Sequence, residues 1–322
     1  MVAAVISLPL MAAAADPIAI KLATNSSGTD DDVYTIAANK FTEALEEVAP
    51  GQFEVTYYPN RQLGDEKELM QGLQLGTVDM AIVTNSTAAN VAPQLAVNDL
   101  PFLYSSQEQA AEILDGPLGE KLFDALEQKN IIGLSFCESG YRQMINNAKP
   151  IETPEDVVGV KFRVMQSPLF IDMFRNLGGA AVPMAWGDTV TALQQGTVDG
   201  LENAAWTIPA FSLDEITKYL SLTNHIYTVA PLMMSKSFYS RLSSEQQEAI
   251  HKAGMLACER QRVISAQHER DIIEGLKASG KMQVNEVQDI GAFREKMAPL
   301  YEEYRDRVGS DLLDQWLAAA KG

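Results

Sequence analysis

Two arginines stand in short runs suited to holding an anion: Arg142 in Gly140-Tyr141-Arg142-Gln143 and Arg163 in Lys161-Phe162-Arg163-Val164. A guanidinium offers paired, coplanar N–H donors that match the two oxygens of a carboxylate and compensate its charge as water is removed. Either arginine can instead pair with an internal Asp or Glu, so residue type alone leaves both roles open. Asn203, in Gly200-Leu201-Glu202-Asn203, can donate and accept toward a ligand or close a turn. Glu66, in Leu63-Gly64-Asp65-Glu66, can accept from ligand hydroxyls or act as a helix-start charge, and Asp188 divides between hydroxyl acceptor and helix cap. Asn85, in Val83-Thr84-Asn85-Ser86, is a strand-edge amide. Trp186 and Trp206 offer ring faces to an organic acid as readily as to a core.

The competing reading is an enzyme acting on a small organic acid, with the arginines orienting substrate and Glu66 or Asp188 moving a proton. The sequence supplies no nucleophile elbow, metal cluster or Walker-type phosphate loop, and its glycines do not complete a strand-associated Rossmann fingerprint. No cofactor is therefore expected. His225, His251 and His268 lack the spacing of a zinc motif and read as structural histidines. Cys137 and Cys258 lie far apart and read as two separate buried thiols, because bridge geometry is restrictive.

The 25 Lys and Arg against 43 Asp and Glu give a formal charge of −18, which opposes attraction to nucleic acid or an anionic membrane face. Any bound anion then needs a local positive site. At 322 residues and 46 % hydrophobic, the chain can build one large α/β unit or two domains with ordinary cores. Residues 1–15 are apolar and alanine-rich, with small residues before Asp16-Pro17, and read as the remnant of an export signal whose basic leading segment is missing. No later stretch has the roughly 18 apolar residues of a membrane span.

The elements that must position these groups alternate. Ile18 to Ala23 reads as a strand, Val33, Ala37, Phe41, Leu45 and Val48 mark one helix face, and Phe53 to Tyr57 is strand-like again. A helix over Glu66 to Leu75 leads through Gly76 into Val78 to Val83, and Asp188 to Gln195 supplies a later helix. Leu73-Gln74-Leu75-Gly76-Thr77-Val78-Asp79 is echoed by Leu193-Gln194-Gln195-Gly196-Thr197-Val198-Asp199, which points to two related lobes. Ser243 and Gln246 make a capping box for a long helix from Ser244 toward Ala278, able to bridge two lobes. Leu312, Leu313, Trp316 and Leu317 read as a covering helix near the C-terminus.

Gly140 to Met144, Lys161 to Pro168, Pro183-Met184-Ala185-Trp186-Gly187-Asp188, Ala192 to Asn203 and Leu222-Thr223-Asn224-His225 together resemble the solute-binding proteins of tripartite ATP-independent periplasmic transporters. The resemblance covers essentially the whole mature chain. It implies a two-lobed α/β periplasmic binding-protein fold, with crossing strands, a long helix spanning both lobes and ligand enclosed between them. It places lobe I near 16–140 and 229–268 and lobe II near 141–228 and 269–322. It further implies a periplasmic monomer that captures a small organic acid, with a sugar acid such as a uronate or aldonate favoured over a dicarboxylate or keto acid. The acid passes unchanged to membrane subunits, with no role for nucleic acid. Arg163 is then the main carboxylate contact, with Arg142 and Asn203 beside it and Glu66, Asn85, Asp188, Trp186 and Trp206 as further candidates.

Overall fold

A computed structural model describes residues 16–321, so the export-signal reading of 1–15 lies outside the described residues. Nine strands form one sheet: β1 (Ile18–Ala23), β2 (Phe53–Tyr58), β3 (Met80–Ile82), β4 (Ile131–Asn146), β5 (Lys161–Val164), β6 (Ala180–Pro183), β7 (Gly200–Ala204), β8 (Tyr219–Ser235) and β9 (Gln283–Glu286). Their order is β2-β1-β3-β8-β4-β7-β5-β6, with β9 beside the Tyr219–Leu222 end of β8.

The same parallel unit occurs twice. In the first, β1 lies between β2 and β3; in the second, β5 lies between β6 and β7, with helices in the connections. Each unit meets the long antiparallel pair β4–β8, the first through β3 and the second through β7. The sequence echo is the same turn in both. Gly76 (φ 75°) and Gly196 (φ 67°) end their helices in the left-handed region that glycine adopts without strain. Three residues on, Asp79 accepts from the Lys21 N–H and Asp199 from the Lys161 N–H, each at 2.9 Å. Each aspartate thus ties the exit of its turn to the central strand of its unit, at Lys21 within β1 and at Lys161 where β5 begins.

The two lobes are joined by β4, β8 and the helix Ser244–Ser279, which starts at the expected capping box and ends at Gly280 in the left-handed region. Its buried face carries Ile250, Ala253, Ala257 and Cys258 and then turns polar, through Gln261, Ser265 and Glu269. The helix packs on β4 and on the helix Val33–Val48, whose expected face is buried at Val33, Ala37, Phe41 and Leu45 and half-buried at Val48. The C-terminal helix Ser310–Lys321 buries Leu313 and Trp316, and the Trp316 indole donates to the Tyr104 hydroxyl at 3.0 Å. It rests on the helices Gln107–Leu114 and Pro117–Glu127, while Ile290–Met297 and Pro299–Glu303 contact Pro168–Asn176, so the last segment touches both halves of the molecule. Among the described residues no helix is long and apolar enough to cross a membrane.

One sequence reading is corrected. Cys137 and Cys258 are not separate thiols; they form a disulfide with their Cα atoms 4.4 Å apart. Both are buried where the long helix lies along β4, so two positions 121 residues apart in the chain meet at a single helix–strand contact.

Candidate ligand-binding cleft

Parallel strands expose backbone and loop groups at their carboxyl ends, and in open α/β sheets ligands bind there. The cleft follows this rule in both units. Asn25 and Ser26 follow β1, Thr84 follows β3, Met165 and Gln166 follow β5, Met184 and Ala185 follow β6, and Trp206 and Thr207 follow β7. Together with Tyr34, Asp65, Glu66, Arg142, Arg163, Trp186, Asn203 and Phe211 they line a cavity of about 660 Å³.

Arg163 sits on β5 at 3 % exposure. Its Nε and Nη2 donate to the Met184 carbonyl at 3.1 and 2.8 Å, and its guanidinium carbon lies 5.5 Å from the centre of the Trp186 ring. Among the described residues it has no carboxylate partner, so the internal-pair alternative is not realised in this structure. Burial pushes its pKa down to about 10, with the Arg142 charge acting in the same direction and Glu202 against it. This is a fixed, desolvated cation with one edge unclaimed.

Arg142, on β4, is electrostatically different. The β4–β7 register sets Met144 opposite Glu202, which puts Arg142 and Glu202 on one face as diagonal neighbours. Arg142 Nε donates to Glu202 Oε2, and Nη2 donates to Oε1 at 2.9 Å and to the Glu202 carbonyl at 2.7 Å. Burial raises the Glu202 pKa, but the Arg142 charge and the contacts with His225 outweigh it and hold the carboxyl below its ordinary value. His225 is wholly buried behind the cleft, meeting Glu202 at 3.5 Å and the Thr223 hydroxyl at 2.7 Å.

Asn203 reaches the cleft from β7, where the register Arg163↔Leu201 puts it on the Arg163 face two residues along. Its Oδ1 accepts from Ala204 N–H at 2.9 Å, leaving the amide N–H groups toward the cavity as donors. Glu66 faces the cavity from the other lobe at the start of the helix Glu66–Leu75. It accepts from Thr84 N–H at 2.8 Å and from the Thr84 and Thr87 hydroxyls, both at 2.5 Å; burial raises its pKa against those bonds. Trp186 and Trp206 both line the cavity. Trp206 is anchored by its indole N–H on the Ser139 carbonyl at 2.8 Å, and Trp186 packs edge-on to Phe211 at 4.7 Å.

Two candidates are not brought in. Asn85 is buried beneath the cavity, donating to the Leu95 carbonyl at 2.9 Å and accepting from Asn98 at 3.3 Å. Asp188 is exposed in the first turn of a helix that begins at Trp186, two residues earlier than the sequence suggested, so it neither lines the cavity nor caps the helix. Sequence reasoning missed Tyr34 and Asp65. Asp65 was legible as an N-cap before the apolar periodicity of the next helix, but not for what its second oxygen does. Oδ1 accepts from Glu66 N–H (2.8 Å) and from Asn25 (2.9 Å), while Oδ2 accepts from Gly187 N–H across the cleft at 3.1 Å. Asn90 donates to the Gln166 carbonyl at 2.9 Å, another cross-lobe bond, so the lobes are closed over the cavity.

A family model described as bacterial extracellular solute-binding protein, family 7, matches residues 24–307. The chain belongs to that family. It is a periplasmic solute-binding protein of the tripartite ATP-independent transporter class, secreted across the inner membrane, and the family's work is capture of small organic acids and delivery to a membrane transporter. Three solved family members show the spread of ligands. The sugar acid-binding protein of Advenella mimigardefordensis in complex with galactonate is 32 % identical at a TM-score of 0.90, covering 95 % of this chain and 98 % of that one. A protein of Sulfitobacter sp. NAS-14.1 with bound β-D-galacturonate is 32 % identical at 0.87, covering 94 % and 100 %. One of Sulfurospirillum deleyianum with bound succinate is 28 % identical at 0.86, covering 95 % and 100 %. The two-lobed architecture with its long connecting helix is that of this solute-binding family.

Proposed function

We propose that this solute-binding protein captures a singly charged hydroxy acid, a uronate or aldonate, between lobes near 16–140 with 229–268 and 141–228 with 269–322. It acts as a monomer holding one ligand and releases it unchanged to the membrane subunits. The observation that carries this reading is the charge of the cleft's buried groups; at its exposed edge the consecutive Lys67 and Glu68 carry opposite charges. Of the two buried arginines, Arg142 is neutralised by Glu202, and Arg163 alone has no acid partner among the described residues. One carboxylate satisfies Arg163, with Asn203 donating beside it. The facing wall carries Asp65 and Glu66, which welcome hydroxyl donors and repel a second carboxylate. The rings of Trp186, Trp206 and Phe211 suit the apolar faces of a sugar skeleton.

The test is calorimetric titration with D-galactonate, D-galacturonate, succinate and a 2-oxo acid, with recovery of the ligand afterwards. Saturable 1:1 binding of a sugar acid, at least about tenfold tighter than succinate and with the acid recovered unchanged, is the expected result; one like-charge contact of about 1.4 kcal/mol gives that factor. Tighter binding of succinate would refute the monoanion reading, and turnover of the acid would move the assignment to the enzyme.

A further inference from the structure

The long helix and β4 bring two carboxylates together where the chain passes between the lobes. Glu138 lies on β4 at 1 % exposure and Glu269 on the helix at 8 %. The β4–β8 ladder slips register on either side of Glu138, between Gly133 and Ser135 and again between Glu138 and Gly140. Gly140 has φ 97°, and a Cβ there would stand 3.2 Å from Glu269 Oε2, so the helix carboxylate lies directly on the kink of the strand. Glu138 accepts from Gln107 Nε2 at 3.0 Å, and its backbone is gripped by Gln261, which accepts from its N–H at 2.9 Å and donates to its carbonyl at 2.8 Å. Glu269 Oε1 is buried with no hydrogen-bond partner.

The other charged and titratable groups around the pair do not neutralise it. Arg262 is held in a two-bond pair with Asp115 at 2.6 Å, and Arg270 donates to Gln267 at 2.7 Å. The Tyr227 hydroxyl on β8 donates to Glu138, and the Tyr141 N–H and the Gln143 side chain on β4 donate to Glu269, each favouring the charged form without outweighing burial. Glu108 on the helix Gln107–Leu114 adds a further negative charge near Tyr141.

We propose that Glu138 and Glu269 hold a proton between the lobes in the closed molecule, so that closure on ligand takes up a proton and affinity rises as the pH falls from alkaline toward neutral. A buried carboxylate with an unpartnered oxygen is far less costly protonated than charged. Burial pushes Glu138 up to about 8, with the Glu269 charge adding to it, and burial raises Glu269 to about 7. Such neighbours titrate as a pair. Among the described residues β4, β8 and the long helix connect the lobes here, and a change of lobe angle that bends them at the Gly140 kink would part the pair. Opening admits water and returns both groups toward the ordinary carboxylate range. The raised values belong to the closed state, so the added affinity builds up as the pH falls below about 8, continues to grow down toward the ordinary carboxylate range of the open state, and is lost as the pH rises through about 7 to 8.

The proposal rests on the capture function and is tested with D-galactonate, whose own carboxyl stays ionised across the range used. Titrations from pH 6.5 to 8.5 should show at least about a tenfold loss of affinity with rising pH, with net proton uptake on binding largest at pH 6.5 and fading toward pH 8.5. Glu269→Gln and Glu138→Gln each remove one titrating carboxylate and should each make the pH profile shallower, the second covering the case in which the first folds poorly; the double variant should bind with a flat profile. Binding with a flat pH profile overturns the proposal and leaves the capture function standing. A pH dependence undiminished in both single variants, or persisting in the double variant, also overturns it, and assigns the proton elsewhere, with His225 the first place to look. No binding at any pH overturns the capture of this acid and the proposal with it.

Discussion

Replacing Arg163 is the most informative perturbation, because the structure supplies its energy. The guanidinium is 3 % exposed and has only the Met184 carbonyl as protein acceptor. Its pKa falls to about 10 from the ordinary 12.5, a burial cost of about 3 kcal/mol on the charged form. A ligand carboxylate that pairs with the free edge offsets much of that cost, and about 3 kcal/mol corresponds to roughly a hundredfold in affinity. Arg163→Ala removes the charge and both directed bonds and should weaken binding by about 2 to 5 kcal/mol, at least about 30-fold. Arg163→Lys retains a charge but loses the planar fork, and should fall between the two. The assay is calorimetry with a sugar acid first shown to bind the parent protein, with circular dichroism and melting curves on each variant. Melting adds a second discriminant: a cation with no acid partner costs stability in the empty cleft, so Arg163→Ala should lose little melting temperature despite its lost affinity. Near-parental affinity in a folded Arg163→Ala protein would refute the clamp, and a large fall in melting temperature with modest loss of affinity would make Arg163 a structural residue.

Arg142 should answer oppositely. Glu202→Gln leaves a buried guanidinium without its counter-charge and should cost about 3 to 5 kcal/mol of stability, read from urea midpoints; an unchanged midpoint would show that the pair is not an anchor. The Cys137–Cys258 bridge closes a loop spanning 121 residues, so Cys137→Ser with Cys258→Ser should cost about 2 to 5 kcal/mol. Alkylation of the denatured, unreduced parent tests the bridge directly, since modification of two thiols would contradict it.

The local elements were legible because each is announced by its own residues. Asp65 caps the helix Glu66–Leu75, Ser243 and Gln246 box the start of the long one, and Gly76 and Gly196 end their helices where only a left-handed residue fits. What periodicity could not give was pairing between distant positions. The cysteines meet because a helix from the end of the chain lies on a strand from its middle, a contact that neither segment encodes alone. The same reason hid the cross-cleft bond from Asp65 to Gly187, which needs both lobes in place. Asp188 shows the smaller error of a helix start displaced by two residues, enough to turn a capping carboxylate into an exposed first-turn charge.

The sharpest limit concerns the two arginines themselves. Both lie on strands, both are buried, and both line the same cavity, so sequence chemistry ranks them together. The difference is made by β7, where Glu202 and Asn203 are consecutive and therefore point to opposite faces of the strand. Glu202 turns to the Arg142 side and cancels that charge. Asn203 turns to the Arg163 side and leaves it standing, with an amide donor added beside it. A two-residue alternation thus decides which guanidinium is scaffold and which is available to a ligand. With Arg142 already paired to Glu202, the buried charge left for a ligand is that of Arg163, and it is on this single unpaired guanidinium that the proposed preference for one carboxylate over two rests.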